Sequence, residues 1–169
     1  LPSGNLQILD FDDVDVFAKW KSDLNEPELL ASIPIVDTPT GGKHLYFRCE
    51  GAMVPKSTKL AMFPKGCGPK DANGDPDDVR IESRGQGNYV VAPGSPVEMH
   101  SLRLPYVLVQ GDLTNLPTLT VEQQERLHEV SRAFDLRPPE DIIKRPAKSQ
   151  GEYKPSNGEC PFEDFNESA

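Results

Sequence analysis

Three short segments each join an apolar, strand-like run to charged residues: Leu6-Gln7-Ile8-Leu9-Asp10-Phe11-Asp12, Gly41-Gly42-Lys43-His44-Leu45-Tyr46-Phe47, and Val79-Arg80-Ile81-Glu82-Ser83-Arg84-Gly85. Their alternation, aromatic and β-branched content, and glycine or aspartate borders predict strands. A strand alternates its side chains, so residues i and i+2 share a face. Asp10 and Asp12 therefore point together while Phe11 enters the core, and Glu82 and Arg84 share a face. Lys43 and His44 must point to opposite faces. One of these two can join the other charged groups directly, and His44 is the expected one.

Around these strands, Val14–Leu24 reads as a helix with an apolar stripe of Val14, Phe17, Ala18 and Leu24, Trp20 lying off it, and Asp12 or Asp13 as N-cap. Residues 33–37 form a short strand, and Pro39-Thr40-Gly41-Gly42 a tight turn before a strand over 43–48. Residues 51–78 read as a long irregular connection, its tip at Ala72-Asn73-Gly74-Asp75-Pro76. Residues 79–82 and 88–92 are expected to pair as strands about Gly85-Gln86-Gly87. Tyr106–Gln110 adds another strand. Val121–Phe134 is the clearest helix, capped by Thr120 with Gln123 in the capping-box position, its apolar face Val121, Leu127, Val130 and Phe134. The expected fold class is α/β (α+β), a small mostly antiparallel sheet with flanking helices. Residues 1–145 form the folded domain. Past Arg137-Pro138-Pro139 the composition turns to Lys, Pro, Ser, Gly and Glu, so 146–169 read as a flexible linker or tail.

Composition limits the partners. The 169 residues carry a net charge of −9, which opposes strong binding to nucleic acid alone. The charge is uneven: −5 over residues 1–30, +1 over 31–110 and −5 over 111–169. The acids at 10, 12, 13 and 15 are of the kind that divalent cations offset, and the middle stretch holds Lys43, Arg48, Lys56, Lys59, Lys65, Lys70, Arg80 and Arg84. Cys49, Cys67 and Cys160 are far apart and odd in number, with no C-x-x-C pair, so neither a zinc knuckle nor a disulfide framework is expected. Cys67 reads as a lone loop thiol. No apolar run has membrane-spanning length, and a reducing cytoplasm is the default compartment. Leu1 is not an initiating methionine, and a buried-looking strand follows almost at once, so the chain reads as a fragment lacking its N-terminal part.

The chemistry of each segment has two readings. Paired carboxylates on one strand face repel unless a cation lies between them, yet Asp12 or Asp13 would also serve as a helix cap. The glycines of Gly41-Gly42-Lys43-His44 allow close approach of an anion, with Lys43 and His44 offering charge and a ring N–H, yet the same residues make an ordinary hairpin turn. Glu82 and Arg84 are either a surface ion pair or the completion of a metal cage with Arg84 holding a phosphate. His100 and His128 read as bland, the latter on the polar side of the last helix.

The series Ser3-Gly4-Asn5-Leu6 through Leu9-Asp10-Phe11-Asp12, Thr38-Pro39-Thr40-Gly41-Gly42-Lys43-His44-Leu45-Tyr46-Phe47, and Ile81-Glu82-Ser83-Arg84-Gly85 through Tyr89-Val90-Val91-Ala92-Pro93-Gly94-Ser95 resembles the bifunctional DNA primase/polymerase domain. That is the primase-polymerase branch of the archaeo-eukaryotic primase superfamily, common in phage, plasmid and mobile-element replication. The resemblance runs from about residue 3 to about residue 135. It implies a catalytic core like an RNA-recognition motif and template-directed nucleotidyl transfer from nucleoside triphosphates on template DNA. It implies Asp10, Asp12 and Glu82 as catalytic ligands of two Mg²⁺ or Mn²⁺ ions, and His44 as a nucleotide ligand, with Lys43, Arg84 and Gly42 beside it. Many members have Asp where this chain has Glu82. Family members also carry an α/β module before the first motif, and a helicase domain often follows. A metal-dependent nuclease using Asp12, Glu82 and Arg84 is the alternative enzyme; an inactive nucleic-acid-binding fragment is the non-enzymatic one.

Overall fold

A computed structural model describes residues 4–51, 56–71 and 73–139. The elements run β1 (Leu6–Phe11), α1 (Val16–Leu24), α2 (Pro27–Ser32), β2 (Ile35–Asp37), β3 (Lys43–Cys49), β4 (Thr58–Met62), β5 (Val79–Arg84), β6 (Val107–Gln110), β7 (Thr118–Leu119) and α3 (Val121–Arg132). One seven-stranded sheet has the order β4-β5-β1-β3-β2-β6, with β7 joined to β3. Every pairing is antiparallel except that of β3 with β7. The fold is thus α+β with a mostly antiparallel sheet, as expected.

Alternation along the central strands gives the sheet two different faces. Leu9 and Phe11 of β1, Leu45 and Phe47 of β3, and Ile81 of β5 are buried in one core with Trp20 and Leu24 of α1 and Leu127 and Val130 of α3. Phe11 meets Trp20 edge-on, ring centroids 4.9 Å apart. The indole N–H of Trp20 donates to Ser131 Oγ at 3.0 Å, tying α1 to α3. The opposite face carries a smaller cluster of Ile8, Val36 and Tyr46, with Val90, Tyr106, Leu113 and Leu116 partly buried against it. The helices cover the first face and leave the second to loops.

Several local expectations are corrected. The N–H of Asp15 donates to Asp13 Oδ1 at 3.0 Å, a local turn that delays the helix to Val16. The buried stripe becomes Val16, Trp20 and Leu24, while Val14 is exposed and neither Asp12 nor Asp13 caps the helix. Within 51–78 lies β4, whose Leu60 and Ala61 are buried beside β5. Residues 88–92 are not a strand, because β1 and β4 already occupy both edges of β5. Neither α2 nor β7 was foreseen; they have six and two residues, too few for a periodic signal. The Thr120–Gln123 capping box is present, but Val121 is exposed and His128 is buried. Cys49 is a buried free thiol, whereas Cys67 is disulfide-bonded rather than a lone loop thiol. The expected tail at 146–169 lies outside the described residues. Among those residues, no helix is long and apolar enough to cross a membrane.

Candidate functional site

The open face of the sheet gathers the charged residues by register alone. In β1, Asp10 lies opposite both His44 of β3 and Glu82 of β5. The same transverse row continues to Val36 on one side and Lys59 on the other. The neighbouring row holds Tyr46, Ile8 and Arg84. Asp12 lies just past the end of β1, where its N–H donates to the carbonyl of Arg80 at 3.0 Å and keeps the chain against β5. One carboxylate oxygen from each of Asp10, Asp12 and Glu82 lies within 4.8 Å of the others.

These acids are largely withdrawn from water: Asp10 is 3% exposed and Glu82 7%. Arg84 bridges them, its Nε–H donating to Asp10 Oδ2 at 3.1 Å and its Nη2 contacting Glu82 Oε1. His44 Nε2 stands 3.2 Å from Asp10 Oδ1, and its Nδ1 is 3.3 Å from the Tyr46 hydroxyl. Burial, then Asp10, Asp77 and Glu82, push the Asp12 carboxyl up to about 8, with Arg84 opposing. Burial also raises Glu82, Arg84 pulling it down and Asp10 adding to the rise. For Arg84 burial acts downward, but Glu82 and Asp10 hold its guanidinium above its ordinary value. Arg84 is ion-paired to two of the three crowded acids and Lys59 also acts on Glu82, yet the Asp12 carboxyl still stands far above its ordinary value, a crowding that a further cation would relieve.

The residues fit a divalent ion on a second ground. Asp10 Oδ1 is buried and accepts no hydrogen bond among the described residues, the 3.2 Å approach of His44 notwithstanding. An orphaned carboxylate oxygen is costly unless a cation or a water meets it. Three carboxylates form a hard, oxygen-only donor set of the kind that suits Mg²⁺ or Mn²⁺. Asp10 and Asp12 open into a cleft of about 730 Å³. Its walls are the β1–α1 turn, Thr38 and Thr40, the β4–β5 loop with Phe63, Lys70 and Asp77, and the β5–β6 loop with Tyr89, His100 and Tyr106.

Of the residues singled out from the sequence, Asp10, Asp12, Glu82, His44 and Arg84 come together here. Lys43 does not. It sits opposite Phe11 on the helix-side face, its Nζ 2.5 Å from Asp37 Oδ1 and 6.0 Å from the centre of the Phe17 ring. Gly42 serves the strand junction: a Cβ there would stand 2.1 Å from the carbonyl oxygen of Phe11. The turn before it is closed by Thr38 N–H donating to Gly42 O at 3.0 Å.

The sequence reading does not single out Tyr46, Asp77 or Tyr106 for the site, and His100, read as bland, lines the same cleft. Tyr46 was within reach of the sequence, since it follows His44 by two residues and shares its face. The other three arrive on loops, whose course no periodicity records.

Residues 1–119 match the family model described as bifunctional DNA primase/polymerase, N-terminal. No curated protein matches the chain.

Proposed function

Because the chain belongs to the bifunctional DNA primase/polymerase family, we propose that it catalyses template-directed nucleotidyl transfer from nucleoside triphosphates, using the open-face cleft as the active site. The observation that carries the reading is the transverse row in which Asp10 faces His44 and Glu82, with Asp12 completing a three-carboxylate cluster. Asp10, Asp12 and Glu82 would hold the divalent ions. Bound there, Mg²⁺ or Mn²⁺ would supply Lewis-acid activation of a primer 3′-hydroxyl and neutralise charge on the triphosphate.

The chain's own groups do the rest. Arg84 fixes the orientation of Asp10 and Glu82 and keeps a part-exposed guanidinium at the cleft for phosphate oxygens. His44, its Nδ1 beside the Tyr46 hydroxyl, presents Nε2 at the acids, where the triphosphate of the incoming nucleotide would lie. Burial of the row excludes water from one side of the reacting groups. The proposed catalytic unit spans 1–145, in a phage- or plasmid-type replication protein acting in the cytoplasm, with a helicase domain C-terminal to the unit in the parent protein.

The test is Mn²⁺-dependent primer extension. The Asp12→Ala variant should lose nucleotide incorporation while its circular dichroism stays that of the parent, and retained turnover would rule out the assignment. Degradation of labelled DNA without added nucleotides would point to a nuclease instead.

A further inference from the structure

Beside the carboxylates, four aromatic rings adjoin one another, three of them lining the cleft. The His44 ring lies 6.0 Å from Tyr46 and 5.6 Å from Tyr106, centroid to centroid, the latter pair tilted by 36°. Tyr106 in turn meets His100 edge-on at 6.0 Å. The N–H of Leu102 donates to His100 Nδ1 at 3.1 Å, which fixes that ring from behind. Tyr106 rests on the Ile8, Val36 and Tyr46 cluster and also lines the cleft. Tyr89, 84% exposed, lines the same cleft.

A tyrosine whose only task was to close a small apolar cluster would gain most by burying its whole ring. Tyr106 instead leaves part of its surface open to the cleft, next to a histidine that borders the acid cluster. Aromatic faces held in this way receive nucleobases, and the stacking is tolerant of sequence because every base has a π-face.

We propose that Tyr106, backed by His44 and flanked by His100, is the stacking subsite for the base of the bound nucleoside triphosphate. The inference rests on the nucleotide-binding reading of the cleft. Direct contact of Tyr106 with His44 puts the base subsite beside the phosphate end, so one nucleotide would span both.

The test is calorimetric titration of the full chain in Mn²⁺ with dATP and, separately, with inorganic tripolyphosphate. The parent should bind dATP more tightly than tripolyphosphate. Tyr106→Leu should weaken dATP about tenfold and leave tripolyphosphate unchanged, while Tyr106→Phe keeps the parent's affinity for both. His100→Ala should weaken dATP alone, by a smaller factor, and stands in if the leucine variant fails to fold. Equal affinity of the parent for dATP and tripolyphosphate would overturn the base subsite and leave the metal–phosphate site standing. Parallel loss of both ligands in Tyr106→Leu would also overturn it, by showing that the ring acts only through packing. Failure of the parent to bind either ligand would overturn the nucleotide-binding reading itself.

Discussion

His128 gives the chain a built-in sensitivity to acid. It sits on α3 at 6% exposure, its Nε2 without a hydrogen-bond partner among the described residues. Burial, and then Arg132, lower its pKa from 6.5 to about 4, with Glu125 pulling weakly the other way. The folded state therefore holds the ring neutral while the unfolded chain takes up a proton below pH 6.5. Stability is complete above that value and falls as the pH drops toward 4. A shift of this size, at roughly 1.4 kcal/mol per unit, corresponds to about 3 kcal/mol across the window. His128→Leu removes the titration. Urea unfolding followed by the single tryptophan, Trp20 of α1, which is itself buried and donates to Ser131 of α3, would be run on both proteins at about pH 7.5 and about pH 4.5. Other acids titrate in both proteins and cancel in the difference. The leucine variant should gain on the parent by about 2 to 3 kcal/mol on acidification. Parallel pH profiles would refute the reasoning.

Two further outcomes follow from the strand that carries His44. Gly42→Ala would press a methyl group onto the Phe11 carbonyl oxygen, 2.1 Å from the ideal Cβ, and should cost about 1–3 kcal/mol of stability; an unchanged urea midpoint would contradict the close β1–β3 approach. Lys43→Ala removes a partly exposed ion pair with Asp37 on the face away from the cleft, so Mn²⁺-dependent dATP affinity should stay within about twofold and stability within about 1 kcal/mol. A large loss of nucleotide affinity would restore Lys43 to the site.

The central strands were legible because their signals are local. Leu6–Phe11 sets Leu and Ile among polar residues, Lys43–Cys49 carries the aromatic run Leu45-Tyr46-Phe47, and the glycine turn before β3 is written in Gly41-Gly42. The capping box of α3 is equally local, since Thr120 and Gln123 stand three apart. Failures came where neighbours outside the window decided. An aspartate side chain at 13 reset the start of α1 and rotated its buried stripe onto Trp20. His128 looked polar by composition, yet α3 presents Leu127, His128, Val130 and Ser131 together to the fold.

For the site, sequence alone determined which carboxylates, which histidine and which arginine share a face within each strand, because a strand's period of two is a property of the backbone. It could not determine that β1 lies between β3 and β5, or that the register sets Asp10 opposite both His44 and Glu82. Those facts depend on which strand edges pair across stretches of tens of residues. Apolar burial of Leu9, Phe11, Leu45, Phe47 and Ile81 selects that pairing, since a slip of one residue would turn each of them to the open face. The acids and the aromatic wall meet on the open face because the apolar residues between them are buried on the other.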